Sequence, residues 1–206
     1  MLQGLDVSHW NTAYIANHVR DFMVSDFVIF KATEGITYKD PDLEKLYFMY
    51  TGEKNLHPST RRLYGFYHFA HPENNNAMLE ARNFLSTVKG HAGNCIYALD
   101  VEGSALKVPT KILQEWVYDF CEAVKMITGV NTIIYCSESA VAKVCTKAEK
   151  NLSSGLWVAK WGSTKPRENK IKPYDVFAFW QYASNPIDRD YFNGTADQFK
   201  LYCESV

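Results

Sequence analysis

Tyr97-Ala-Leu-Asp-Val-Glu-Gly103 is an apolar run that ends in two carboxylates two residues apart, Asp100 and Glu102. Its length, between Gly93 and Gly103, reads as a buried strand. Side chains alternate along a strand, so Asp100 and Glu102 share one face while Leu99 and Val101 point the other way. Neighbouring carboxylates withdrawn from water repel each other and resist ionisation, which drives their pKa values apart. A protonated acid beside a carboxylate is the pair that acid-assisted cleavage of a glycosidic bond requires. The plainer alternative is a strand running out into a solvated loop with ordinary surface acids.

Similar short apolar runs recur at residues 4–8, 27–31, 63–69, 96–101, 132–137, 156–160, 176–181 and 187–191. Segments with helical periodicity separate the first six. In residues 110–128, Leu113, Trp116, Val117, Phe120, Val124 and Ile127 keep i, i+3, i+4 spacing, with Pro109 at the start and Gly129 at the end. Residues 76–89 place Met78, Ala81, Leu85 and Val88 on one face, and further helices are expected over 14–21, 43–51 and 139–150. Strand and helix alternating from end to end predict an α/β fold with a parallel sheet. Eight strands favour closure, so the expected architecture is an irregular (β/α) barrel with eight strands and about five helices. The irregularity comes from the last three strands, which follow one another too closely for full helices. Residues 162–173, rich in Lys, Arg, Asn and Pro, are the best loop candidate, and no linker or repeat divides residues 1–206, which read as a single domain.

Of the 206 residues, 47% are hydrophobic and 22% charged, enough apolar material for a full core without the composition of a disordered chain. A net charge of −1 argues against nucleic acid as a partner, because phosphate binding needs a basic stripe. Thirteen Tyr and five Trp exceed what a core demands and suit sugar rings, whose apolar faces stack on aromatic side chains. Cys95, Cys121, Cys136, Cys145 and Cys203 are odd in number, widely spaced and without a C-x-x-C pair, so they read as buried free thiols of a reducing compartment. The first strand starts at about residue 4, which leaves no room for a secretory leader, and no run is long enough to cross a membrane. No charge run, heptad or apolar stripe calls for an obligate protein partner, and a monomer is expected.

In a parallel barrel the C-terminal strand ends form the active face. Asp6 closes the first strand, Lys31 the second, Tyr67 or His68 the third, Tyr135 the fifth, Lys160 the sixth and Gln181 the seventh; Asp188 lies in the eighth. Closure sets strand eight beside strand one, so Asp6 and Asp188 join Asp100 and Glu102 at one rim. Tyr67, Tyr135, Trp157 and Tyr182, with Lys160 and Gln181, are candidate sugar contacts, though about half of such rings belong to cores. Lys31 and Glu34 fit a structural ion pair better than a substrate contact. His68 and His71 fit hydrogen-bonded core positions better than metal ligation, for which no third ligand is spaced. Ser8-His9 is no catalytic dyad, since strand neighbours face opposite ways.

Gly4-Leu-Asp-Val-Ser-His-Trp10, Phe30-Lys-Ala-Thr-Glu-Gly35, Tyr64-Gly-Phe-Tyr-His-Phe69, Ala98-Leu-Asp-Val-Glu-Gly103, Phe179-Trp-Gln-Tyr182 and Ile187-Asp-Arg-Asp-Tyr-Phe-Asn193 together resemble glycoside hydrolase family 25, the muramidases that cut peptidoglycan between N-acetylmuramic acid and N-acetylglucosamine. The resemblance implies Glu102 as general acid/base, Asp100 as second catalytic carboxylate, and Asp6 and Asp188 as the flanking acids, with no cofactor or metal. It further implies retention of configuration, with Glu102 held protonated by its acidic neighbours. Asp100 could attack the anomeric carbon, or orient the substrate's acetamido group to attack while stabilising the resulting cation. Strand positions i and i+2 lie about 6.6 Å apart at Cα, which leaves retaining and inverting carboxyl spacings both open. A chitinase-like hydrolase and a non-catalytic wall-binding barrel are the competing readings. The expected partner is bacterial peptidoglycan, reached by a protein made in the cytoplasm and released as a phage or prophage lysin.

Overall fold

The computed structural model describes residues 1–52, 62–91, 95–150 and 153–204. Eight strands close a barrel: β1 (Leu2–Val7), β2 (Phe27–Glu34), β4 (Leu63–Phe69), β5 (Cys95–Asp100), β6 (Thr132–Ser137), β7 (Ser153–Ala159), β8 (Phe179–Ala183) and β9 (Asp188–Phe192). The order is β1-β9-β8-β7-β6-β5-β4-β2, with β2 pairing back onto β1, and the two-residue β3 (Tyr38–Lys39) folds against the end of β2. Gly93, read from the sequence as one boundary of β5, lies outside the described residues.

The α/β barrel is as expected, with one difference of direction. β9 runs antiparallel to both β8 and β1, whereas the other barrel pairings are parallel. A parallel return needs a crossover of roughly a dozen residues. Residues 184–187 alone separate β8 from β9, so the chain turns back as a hairpin. The reversal puts the start of β9 at the mouth where the parallel strands end, and the register sets Asp188 opposite Asp6.

Strand alternation makes two cores. Inward-facing Phe27, Ile29, Ile96, Ala98, Ile133 and Trp157 fill the barrel, while Leu5, Val28, Phe30, Leu99, Ile134 and Val158 face the surrounding helices. Phe27 lies inside because its register partner on β1 is Gly4, where a Cβ would collide with the ring. Phe199, from the C-terminal α8 (Ala196–Leu201), packs on Phe27, Phe179 and Phe192 and plugs the end opposite Asp6 and Asp188. This helix has no counterpart in the sequence reading.

The five expected helical segments are present, two of them broken. Residues 14–21 become α1 (Thr12–Asn17) and α2 (Val19–Val24), interrupted at His18, and 139–150 become α6 (Val141–Val144) and α7 (Lys147–Lys150). α3 (Leu43–Thr51) and α5 (Thr110–Thr128) keep their bounds, with Gly129 in the left-handed conformation stopping α5, although Ile127 is exposed. In α4 (Ala77–Val88) the buried face carries Glu80 and Asn83 while Met78 is exposed. The polar pair turns inward because partners wait there: Glu80 Oε2 lies 2.7 Å from His68 Nε2, and Asn83 donates to the Gly35 carbonyl at 2.9 Å.

Candidate active site

β5 delivers the two carboxylates found in the sequence. The Ala70 N–H donates to the Asp100 carbonyl at 2.9 Å and the Val101 N–H to the Tyr135 carbonyl at 3.0 Å, so both neighbouring strands fix the end of β5. Val101 is fully buried among the helices, which turns Asp100 and Glu102 to the other face. Gly103, at φ +56°, then bends the chain into a 3-10 turn over Gly103–Lys107. Asp100, Glu102, Asp6 and Asp188 line one cleft of about 410 Å³ at the barrel mouth.

A hydrogen-bonded floor joins the acids. Gln181 donates to Asp6 Oδ2 at 2.8 Å and accepts from Tyr135 OH at 3.0 Å and Trp161 Nε1 at 3.1 Å. One layer below, Trp157 Nε1 donates to Asp190 Oδ1 at 2.7 Å. Asp190 is fully buried, its Oδ2 meets no donor among the described residues, and burial followed by the charge of Asp6 raises its pKa well above the carboxylate range.

Every acid at this mouth is pushed up, first of all by burial. Asp6 is raised to about 6 and Asp188 to about 8, with the charge of Glu102 adding to both and that of Asp6 to Asp188. Asp100 is raised well above the usual range by burial, then by Glu102 and Asp6, and its Oδ1 has no hydrogen-bond partner among the described residues. Glu102 is raised by burial, against the opposing charge of Lys31. This differs from the expectation in its cause: burial, rather than the charge of the acidic neighbours, is what raises Glu102.

Tyr67, Tyr135, Trp157 and Gln181 line the cleft as the sequence reading anticipated, but Lys160 and Tyr182 lie outside it. The reason is strand parity. Trp157, Ala159 and Gln181 point inward, so the residues next to Ala159 and Gln181 point outward. Lys160 Nζ instead ties the Thr164 and Lys165 carbonyls, each at 2.9 Å, and the Tyr182 ring stacks on Tyr191 with centroids 4.4 Å apart. Sequence reasoning missed the exposed rings Trp10 and Trp161 and the cleft-lining Ser8, Asn11 and Phe69. Lys31, for which the sequence favoured a structural ion pair over a substrate contact, pairs with Glu34 at 2.6 Å and also lines the cleft. Trp10 and Lys31 continue into a second groove walled by His9, Tyr38, His71 and Asn75. His68 is a buried core residue between Thr33 and Glu80, each at 2.7 Å, and burial holds its pKa down. Among the described residues no three His, Cys, Asp or Glu side chains gather to hold a metal, and the five cysteines are buried and outside any disulfide.

Residues 5–191 match the family described as Glycosyl hydrolases family 25. The chain belongs to that family. Among family 25 relatives, Lysozyme M1 of Streptomyces globisporus is 30% identical over 213 residues, covering 95% of this chain and 69% of that protein. An N,O-diacetylmuramidase of Arthroderma benhamiae is 29% identical over 191 residues, covering 86% of this chain and 77% of its own. The solved family GH25 lysozyme of Aspergillus fumigatus superposes with a TM-score of 0.75 at 25% identity, covering 98% of this chain and 99% of that one. In this family 25 chain the barrel is also what gathers the acids. Asp6, Asp100 and Asp188 come from three separate strands and Glu102 from the turn after β5, and strand register brings them together.

Proposed function

We propose that this family 25 hydrolase is a muramidase that cleaves the β-1,4 bond between N-acetylmuramic acid and N-acetylglucosamine of peptidoglycan with retention of configuration. The carrying observation is the meeting of Glu102 and Asp100 with Asp6 and Asp188 in one aromatic-walled cleft. Glu102, its pKa raised by burial, acts as the acid that donates to the leaving oxygen and then takes a proton from the attacking water. Asp100 supplies the negative charge opposite the anomeric centre. Its ionised form is poorly compensated in the free protein, so positive charge developing on the sugar improves its surroundings at the transition state rather than before it. Direct attack by Asp100 and orientation of the substrate acetamido group both retain configuration. Asp6 and Asp188, with Gln181, hold the floor on which this pair works. Tyr67, Tyr135, Trp157 and the exposed Trp10 and Trp161 meet sugar faces.

The muramidase names of the relatives support peptidoglycan as the substrate. Five buried cysteines outside any disulfide support synthesis in a reducing compartment, in keeping with a monomeric lysin that reaches the wall by release. Mass spectrometry of digested peptidoglycan tests the bond: new reducing ends on N-acetylmuramic acid are expected, whereas N-acetylglucosamine ends, activity confined to chitin, or wall binding without release overturns it. Glu102→Gln keeps the shape and removes the transferable proton, so it should cost about 2–4 orders of magnitude in rate. A folded Glu102→Gln protein that clears walls at the wild-type rate refutes the acid assignment.

A further inference from the structure

Five side chains beside the cleft form an unbroken chain of hydrogen bonds. Lys31 Nζ, in the cleft, donates to Glu34 Oε2 at 2.6 Å, and Glu34 Oε1 lies 2.7 Å from His71 Nε2. The other ring nitrogen, His71 Nδ1, lies 2.8 Å from Glu73 Oε1. That same oxygen accepts from Ser104 Oγ at 2.6 Å, two residues after Glu102 in the turn that leaves the cleft. The chain joins the end of β2, the loop between β4 and α4, and the segment carrying Glu102.

Both carboxylates are charged acceptors. Partial burial raises Glu34, but the hydrogen bonds from Lys31 and His71 bring it below its ordinary value, and those from His71 and Ser104 do the same for Glu73. A neutral imidazole has one N–H and one lone pair, so it could serve only one of them and would turn its lone pair on the other. The geometry fits an imidazolium with both nitrogens donating. The other groups facing His71 are compatible with that charge. Glu80, on α4, accepts from the His71 backbone N–H at 3.1 Å; burial lowers the pKa of His68, on β4; and the Phe69 ring lies 5.4 Å away.

We propose that His71 is a positioning residue for hydrolysis, an imidazolium that clasps the Lys31 and Glu102 sides of the cleft through Glu34 and Glu73. The inference rests on the reading of Glu102 as the acid. Loss of the His71 proton breaks one of the two bonds and frees either the counter-ion of Lys31 or the anchor of Ser104, so activity falls on the alkaline side by misalignment.

Ring-nitrogen NMR of His71 in the intact protein, with kcat and KM against pH for wild type, His71→Gln and Glu73→Gln, tests the clasp. His71 should titrate above the ordinary histidine value of about 6.5 with both ring N–H signals present below its pKa. His71→Gln should lose up to about 100-fold in kcat with KM nearly unchanged, the scale of lost alignment, and should lose the alkaline step that His71 contributes. Glu73→Gln, which keeps an acceptor for Ser104, should lower the His71 pKa and move that step to lower pH. An ordinary or depressed His71 pKa, or a His71→Gln protein with wild-type kcat and pH profile, overturns the proposal. Glu102→Gln separates the two readings: if it stays active the acid assignment falls, while the His71 titration is read independently of turnover.

Discussion

Replacing Asp6 by Asn should make the protein more stable at neutral pH while impairing hydrolysis. Asp6 is 7% exposed, and its pKa stands at about 6 against an ordinary 3.8. Burial is the largest cause; the charge of Glu102 adds to it, and the hydrogen bonds from Gln181 and Asp190 oppose it. Between these two values the folded protein keeps a proton that the unfolded chain has released. The stability contribution is therefore complete below the unfolded value, falls as pH rises through about 6, and is level beyond. A rise of about 2 pKa units at 1.36 kcal/mol each corresponds to about 3 kcal/mol. Asn has the same shape, cannot ionise, and still accepts the Gln181 N–H through Oδ1. Urea unfolding at pH 4, 6 and 8 should show a difference near zero at pH 4 that grows in favour of Asp6→Asn toward a ceiling of about 3 kcal/mol at pH 8. For a chain of this size that ceiling is about 6–12 °C in melting temperature. A stability difference that is constant with pH, or that grows on acidification, refutes the burial argument. The expected cost in rate alongside a gain in stability follows from an acid kept in place for chemistry.

Gln181→Leu removes three hydrogen bonds and the neutral donor to Asp6, so it should destabilise by about 2–4 kcal/mol in urea melts and raise the Asp6 pKa further. Trp10→Ala should raise KM on soluble glycan with little change in kcat or melting temperature, because a ring 80% exposed contributes contact surface rather than core. Lys31→Met should move the alkaline limb of kcat/KM to higher pH, since the Lys31 charge is what opposes the raised pKa of Glu102; a shift to lower pH contradicts that.

Period-2 patterning made the barrel legible, because seven of the eight strands, all but β9, carry an apolar set on at least one face. The same rule placed Asp100 and Glu102 on a common face before any coordinates. Applied more strictly it would have done better. It separates Gln181 from Tyr182 and Ala159 from Lys160, and it puts Asp190 on the face of Asp188, where the structure has it buried beneath Asp6. Other features lie beyond periodicity. Trp10 and Trp161 sit off the strands, where no repeat says which way a ring points. The direction of β9 depends on the length of its connection, and the inward turn of α4 depends on Glu80 finding His68.

The antiparallel β9 also explains how so many acids fit at one mouth. Had it run parallel, Asp188 would start the strand at the plugged end beside Phe199, in an apolar layer with no donor for a carboxylate. Reversed, it pairs with Asp6, and Asp190 falls one layer deeper, where Trp157 supplies an N–H. Apolar packing at the plugged end holds the barrel, and the open end accepts groups that oppose folding. Among the described residues lining the cleft, four are acids and the sole cation is Lys31, itself tied to Glu34. The cleft is thus short of positive charge in its resting state. A sugar ring acquiring oxocarbenium character supplies that charge beside Asp100, favouring as the glycosidic bond breaks the carboxylate form that burial disfavours in the resting cleft.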